Sequence, residues 1–187
     1  MDGPTAKRAD GRRNYERLLA VARVVVREQG TQASLRDIAR RAEVGLGTLY
    51  RHFQTRDALL EALLREGFDR LAARAEELES TTEPKESLLV WVDEFSRGST
   101  FYRGLPASLL EMLAADDSPL HRSCLAMRTA GARLLQRAQQ AGAVRSDLTG
   151  ADLFELVTAV GWAAERSARP EERRERLLGL VTDGLAR

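Results

Sequence analysis

The chain has 187 residues, a net charge of +1, 43% hydrophobic residues and 30% charged residues, a composition typical of a globular protein. Its single cysteine, Cys124, excludes an internal disulfide framework and predicts a cytoplasmic protein. No apolar run approaches the roughly 18 residues of a membrane span, so no membrane partner is expected, and the polar N-terminus does not resemble a signal peptide.

Positive charge is concentrated at the N-terminal end. Residues 1–60 contain 12 Lys or Arg against 7 Asp or Glu, whereas the remainder contains 17 against 21. This asymmetry is typical of a nucleic-acid-binding head on a non-binding body, although scattered charges could produce it too.

The first 11 residues are polar and predict a mobile arm. Its basic residues, including Lys7 and Arg8, are either a solvated tail or an arm that contacts phosphates or a minor groove. A helix is predicted for residues 12–29, because apolar residues recur at helical spacing along this stretch and Gly30 can end the helix. The apolar stripe is Tyr15, Leu18, Leu19, Ala22, Val25 and Val26.

Two short helices are predicted next, separated by Glu43-Val44-Gly45. Ser34 and Asp37 have the spacing of a capping box, and an apolar pattern at helical spacing follows them. The second helix runs from Leu46 to Phe53. Helices of two turns are not stable alone in water, so these two must pack on each other as a helix-turn-helix.

The second short helix has an apolar face and a face of hydrogen-bond donors. Leu49 and Phe53, four residues apart, are predicted to face inward. The rest of its surface carries no carboxylate and has side chains that reach phosphate oxygens; it comprises Gly47, Thr48, Tyr50, Arg51 and His52.

These residues resemble the signature of TetR-family transcriptional regulators over roughly the first 60 positions. The matching positions are Ile38-Ala39, Ala42, Val44, Gly47-Thr48-Leu49-Tyr50, His52-Phe53 and Arg56-Asp57-Ala58-Leu59. The resemblance implies an all-α fold. Residues 1–54 would form a three-helix helix-turn-helix DNA-binding domain, joined by a long helix to a helical ligand-binding and dimerisation domain in residues 55–187.

Two positions depart from the family pattern. Glu43 stands in the turn where the family usually has Gly, which would cost about 1 kcal/mol of strain if the turn needs a positive φ, and its carboxylate would lie near the DNA-facing side. Gly45 stands where the family usually has a Ser cap, and Gly is weaker as a cap by a few tenths of a kcal/mol.

By this resemblance, the partner is a double-stranded DNA operator, palindromic because a dimer reads two half-sites. Phosphate contacts are predicted from Arg36, Tyr50, His52 and Arg56. Base readout is predicted from Gly45, Leu46, Gly47, Thr48 and Arg51. The alternative for Arg56 is an exposed arginine paired with Asp57.

The second domain is predicted to begin with a long helix capped by Thr55 and reaching Glu79. Helices follow from Pro84 to about Gly98, over residues 105–115 and from Pro119 to Gly142. Large or adaptable side chains and a few polar groups predict a cavity for an unidentified small-molecule effector, with core packing as the alternative; the candidates are Phe68, Trp91, Phe95, Tyr102, Met112, Cys124, Met127, Arg128 and Trp162. His121 and Cys124 are too few for a zinc site, so neither a metal nor another cofactor is expected.

The last two predicted helices, residues 151–168 and 171–186, point to a homodimer. The first is apolar nearly all round and needs cover on more than one side. Paired about a two-fold axis, the two helices would form a four-helix interface, with Phe154, Val157, Gly161, Ala164, Leu177 and Val181 as candidate contacts. The alternative is a core helix of a monomer.

The function that these features imply is a ligand-responsive regulator, most simply a repressor released from its operator by the effector. The alternative is a helical protein-interaction or activator module without small-molecule control. An enzyme is not expected, because the sequence has no nucleophile elbow, P-loop or metal signature.

Overall fold

The structure is a computed structural model that describes residues 4–81, 83–98 and 104–185. Across these ranges all regular secondary structure is helical, which confirms the all-α prediction. The helices are α1 (Pro4–Gln29), α2 (Leu35–Arg41), α3 (Leu46–His52), α4 (Arg56–Thr81), α5 (Pro84–Gly98), α6 (Ala107–Ala114), α7 (Pro119–Gln140), α8 (Gly150–Glu165) and α9 (Pro170–Leu185).

The chain forms two compact units. Unit 1 consists of Met1–Leu64 and Gly104–Glu111, and unit 2 consists of Arg65–Arg103 and Met112–Arg187. Helices α4 and α6 each begin in unit 1 and end in unit 2. The second segment of unit 1 is held by hydrogen bonds from the Ser108 hydroxyl to the Asp57 carboxylate (2.6 Å) and from the Thr31 hydroxyl to the Gly104 carbonyl (2.8 Å).

In unit 1, α1, α2 and α3 enclose a small apolar core. The core includes the predicted stripe residues Leu18, Ala22 and Val25 of α1, each 0% exposed, together with Ile38 of α2 and Leu49 of α3. Burial against neighbouring helices supplies the stability that such short helices do not have alone.

Helices α2 and α3 begin at the capping residues that the sequence predicts, and the turn between them contains a residue with positive φ. The Ser34 hydroxyl accepts a hydrogen bond from the Asp37 N–H at 3.4 Å and caps α2. Gly45 caps α3 from an extended conformation, without a side-chain bond. Glu43 has φ +55°, in the left-handed region that favours glycine, so the expected strain is present in the turn.

The predicted mobile arm is wrong from Pro4 onward, because α1 begins at Pro4 rather than at Arg12. Proline is well suited to the first position of a helix, and the alanines and basic residues that follow have high helix propensity. Residues 1–3 lie outside the described part of the chain.

Helix α4 confirms the predicted long helix, which continues two residues beyond Glu79. The Thr55 hydroxyl accepts a hydrogen bond from the Ala58 N–H at 3.0 Å and caps its first turn. Its 26 residues span about 39 Å at about 1.5 Å per residue.

Unit 2 is built around Trp91, which is 0% exposed. The indole N–H donates to the Leu71 carbonyl of α4 at 2.9 Å, and the ring stacks on Phe95 with centroids 5.4 Å apart. Helix α7 passes the same ring at Gly131, where an added Cβ would lie 2.5 Å from the indole. Buried residues of α5, α7, α8 and α9 complete this core.

Helices α7 to α9 begin and end within three residues of their predicted bounds. Ser118 and Thr149 cap α7 and α8, and Thr149 and Asp152 form a full capping box. No helix in the described part of the chain is both long enough and apolar enough to cross a membrane.

Candidate nucleic-acid interface and ligand cavity

Helix α3 has a polar surface on one side and a buried apolar face on the other. Leu49 and the C-capping residue Phe53 are 0% and 3% exposed, whereas Tyr50 is 46% exposed. Tyr15 of α1 stacks on the Phe53 ring (5.2 Å) and meets the His52 ring edge-on (5.9 Å). The buried apolar face therefore fixes the rotation of α3 about its axis and keeps its hydrogen-bond donors at the surface.

Two of the predicted DNA-contacting arginines, one in α3 and one at the start of α4, already donate hydrogen bonds within the chain. Arg51 turns back along its own helix and donates to the Thr48 hydroxyl at 2.9 Å. Arg56, in the first turn of α4, donates from Nη1 to the Gln32 side chain at 2.8 Å, while its Nε is buried without a partner. The alternative pairing of Arg56 with Asp57 is not found, because Asp57 accepts from Ser108 instead.

Helix α2 contributes one arginine that is free to bind an anion. Arg40 and Arg41 form ion pairs with Asp37, and the hydrogen bond from Arg40 is the main reason that the pKa of Asp37 lies below its ordinary value. Among the described residues, the exposed Arg36 has no hydrogen-bond or ion-pair partner. Because its guanidinium is uncompensated, Arg36 is suited to a phosphate contact.

Unit 2 contains an open cavity of about 410 Å³ between α5, α7 and α8. Its lining is Phe95, Cys124, Met127, Arg128, Phe154, Glu155, Thr158, Ala159 and Trp162. The Arg128 guanidinium lies 5.4 Å from the centre of the Phe154 ring, in a cation–π contact. Burial raises the pKa of the Cys124 thiol, and the charge of Arg128 opposes that effect.

Sequence comparison assigns the chain to a family. Residues 18–63 match the model described as bacterial regulatory proteins of the tetR family. Residues 83–187, more than half of the chain, match the model described as the C-terminal domain of SbtR-like transcriptional regulators. The chain belongs to the TetR family of transcriptional regulators.

Solved structures of TetR-family proteins resemble this chain over nearly its whole length. A TetR transcriptional regulator of Streptomyces coelicolor is 35% identical, with a TM-score of 0.74 over 92% of this chain and 98% of that one. A TetR transcription regulatory protein of Mycobacterium vanbaalenii is 30% identical, with a TM-score of 0.66 over 96% and 99% of the two chains. No curated protein matches the sequence.

Members of the TetR family bind DNA and act as dimers, so the geometry of each predicted site residue can be compared with those roles. Arg36, Gly45, Gly47, Tyr50 and Arg51 are exposed. The half-buried candidates for DNA contact are Leu46, Thr48, His52 and Arg56. All nine lie on α2, α3, their connecting turn or the start of α4, within unit 1.

The predicted effector residues of this TetR-family chain divide into three groups. Five of them line the cavity, namely Phe95, Cys124, Met127, Arg128 and Trp162. Phe68 and Trp91 are buried and Met112 is 37% exposed, and none of these three is part of the lining. Tyr102 lies outside the described residues.

The sequence did not assign four lining residues of α8 to the cavity. Phe154 is instead a predicted dimer contact, and the sequence analysis makes no prediction for Glu155, Thr158 and Ala159. Their spacing with Trp162 is a signal in the sequence, since positions 155, 158, 159 and 162 share one face of a helix.

The predicted dimer contacts on α8 lie on the face that packs within its own chain, and their role in a dimer stays a prediction. The side chains of Phe154, Val157 and Ala164 are at most 7% exposed, and Gly161 is buried too, because this face of α8 packs within its own chain. Leu177 and Val181 of α9 are only half-buried. The apolar residues that α8 and α9 leave most exposed are different ones, including Leu156, Trp162 and Leu180 at 40%, 47% and 62%.

Proposed function

We propose that this TetR-family regulator is a homodimeric repressor that binds a palindromic operator and is released by a small molecule bound in unit 2. The observation that carries the DNA-binding part is the α3 surface. It has exposed hydrogen-bond donors and no carboxylate, and the apolar residues Leu49 and Phe53 are buried beneath it. Two such heads related by a two-fold axis read half-sites about 34 Å apart.

The test is a mobility shift on duplex DNA from the region upstream of the chain's own coding sequence, with a salt titration. For a regulator of this kind, the logarithm of the binding constant falls linearly with log[salt], with a slope of about −0.9 for each phosphate that the protein neutralises. A protein-interaction module without DNA binding shows no salt-dependent shift with any duplex, and that result would reject the proposal.

Arg56→Ala separates a phosphate contact from a structural role. The proposal expects weaker binding to every sequence and a salt slope reduced by about 0.9 for each head, or about 1.8 for the dimer, because each head loses one neutralising charge. The matched control is Gln32→Ala, which breaks the 2.8 Å bond to Arg56 but keeps its charge, so the salt slope stays unchanged. An unchanged slope in Arg56→Ala would mean that Arg56 only fixes the loop before α2.

Arg51→Ala tests base readout by α3. We expect relaxed preference at one operator position, since an arginine that leaves Thr48 can pair with a guanine edge. Tyr50→Phe should instead weaken binding to all operator variants alike, because it removes a phosphate donor. A preference unaffected by Arg51→Ala would leave base readout to the other α3 residues.

Release by a ligand requires that the cavity influence α4. Phe95 and Phe154 line the cavity, both rings contact Trp91, and Trp91 donates to the Leu71 carbonyl of α4. A ligand that repacks these rings would displace α4 and so change the spacing of the two heads. Thermodynamic linkage demands that such a ligand bind free protein and operator complex with different affinities. Equal affinities would contradict ligand control.

A further inference from the structure

We infer that the unit 2 cavity accepts an apolar carboxylic acid, with Arg128 holding the carboxylate. This inference rests on the proposed ligand-responsive function and specifies the chemistry of the ligand. It follows from three features of the cavity, which are its size, its apolar wall and an arginine that the protein itself does not neutralise.

The size and the wall define the apolar part of the ligand. Allowing about 30 Å³ for each water-sized group, a cavity of about 410 Å³ holds about 14 groups. Phe95, Met127 and Phe154 present buried apolar surface, and the two phenyl rings meet edge-to-face at 5.2 Å. Trp162, 47% exposed, forms part of the outer wall. Such a lining removes an alkyl or aromatic body from water.

Arg128 defines the polar group. Among the described residues it has no hydrogen-bond or ion-pair partner, whereas Arg133 on the same helix pairs with Glu79 at 2.7 Å. Its guanidinium stands over the Phe154 ring and its charge reaches the Cys124 thiol, so the free cation faces the cavity. A guanidinium binds a carboxylate through two parallel hydrogen bonds, a geometry that an alcohol cannot reproduce.

Glu155 favours the opposite charge and must be weighed against Arg128. Its carboxylate also has no partner in the described part of the chain, and it would attract a cationic ligand. Both side chains are exposed, so water weakens the interactions of each. They differ in position, because the Arg128 guanidinium stands over the apolar Phe154 ring, which is only 7% exposed and lines the cavity. The hydroxyl of Thr158 adds a donor for an anion to the same wall.

The experiment compares ligands that share one apolar body and differ in head group. One set is phenylbutyrate, phenylbutanol and phenylbutylamine, and a second is decanoate, decanol and decylamine. Affinity is measured on the full chain without DNA, by titration calorimetry and by tryptophan emission. Trp162 is the expected reporter because it lines the cavity, whereas Trp91 is already fully buried. In at least one set, we expect the acid to bind about tenfold more tightly than its alcohol and amine.

Arg128→Gln should abolish this preference while leaving the affinity for the alcohol unchanged. The matched control is Arg122→Gln, another arginine of α7, which lines a different groove and should keep the preference. Thermal unfolding of both variants establishes that they are folded, and Arg128→Lys should restore part of the preference. Trp162→Phe should remove the emission change that accompanies binding of the acid.

Three results would overturn the inference: acids that bind no more tightly than alcohols, amines that bind best and lose that advantage in Glu155→Gln, or no binding by any probe. Operator binding is measured separately on the same preparations. A chain that binds its operator but no acid refutes only this inference. A chain that binds acids but no DNA refutes the proposed function instead.

Discussion

Trp91 and Gly131 depend on each other at the centre of unit 2. The indole occupies the space that a side chain on α7 would fill, so α7 can lie close to α5 only because residue 131 has no Cβ. The same indole contacts two rings of the cavity wall. A single glycine thus determines both the core and the position of the wall.

Gly131→Ala should lower the free energy of unfolding by about 1–3 kcal/mol, because its Cβ would lie 2.5 Å from a buried ring. The matched control is Gly179→Ala in α9, where nothing lies within 4 Å of the added Cβ. That variant should be neutral or about 0.5–1 kcal/mol more stable, from helix propensity alone. Urea denaturation measures both, and equal effects would contradict the close contact.

Arg174 of α9 is a charged side chain buried to 3% exposure, and its partners explain why it is tolerated. It donates to the Asp93 carboxylate at 2.7 Å, to the Ser96 hydroxyl at 2.8 Å and to Glu171 at 3.1 Å. Burial alone would raise the pKa of Asp93, but hydrogen bonds from Arg174 and Arg97 outweigh it and leave this pKa below its usual value.

The lowered pKa of Asp93 predicts a pH-dependent contribution to stability. The contribution is complete above about pH 4, the ordinary pKa of aspartate, and is lost as the pH falls through the lower pKa of the folded state. Asp93→Asn should therefore cost about 1 kcal/mol at neutral pH, and the difference from the parent chain should shrink on acidification. Urea denaturation across pH tests this, with Asp183→Asn as an exposed control. A difference that does not change with pH would contradict the assignment.

At the scale of elements, Glu43 affects the turn between α2 and α3 in two ways, through backbone strain and through its negative charge. Glu43 holds φ at +55°, which strains any residue with a Cβ, and it also adds a negative charge to the head. The carboxylate is exposed, so the charge acts on an approaching phosphate rather than on folding.

Two substitutions separate strain from charge at Glu43. Glu43→Gly should raise the free energy of unfolding by about 0.5–1 kcal/mol and tighten DNA binding, because it removes both effects. Glu43→Gln should tighten DNA binding alone, since it keeps the Cβ and loses the charge. Denaturation and mobility shifts measure the two properties. Equal stabilisation by both variants would show that strain is not the cause.

Helix α8 shows the limit of prediction for an element. Its sequence is apolar nearly all round, so periodicity indicated that several faces are covered without showing which neighbour covers each one. In the structure, Phe154, Val157 and Ala164 pack within the chain, while Leu156 and Trp162 remain at the surface.

At the scale of the whole molecule, pairing of two chains should use the exposed apolar residues of α8 and α9. Leu156→Glu and Leu180→Glu should each convert the proposed dimer to a monomer, because a carboxylate in an apolar interface is costly to desolvate. Leu125→Glu on α7, where the leucine is 54% exposed, is the matched control and should remain dimeric. Sedimentation at micromolar concentration gives the mass. A dimer that survives both substitutions would require a different interface.

The sequence by itself determined the helical fold, most helix bounds, the helix-turn-helix and the family. These features depend on local patterns, such as the Ser34, Thr55 and Thr149 caps and the ordered motif from Ile38 to Leu59. Only the tertiary structure decided which side of α8 lines the cavity, that Arg56 bonds to Gln32 and that Trp91 needs Gly131. Each of these involves residues far apart along the chain, and a pattern of period 3.6 contains no information about which helix becomes the neighbour.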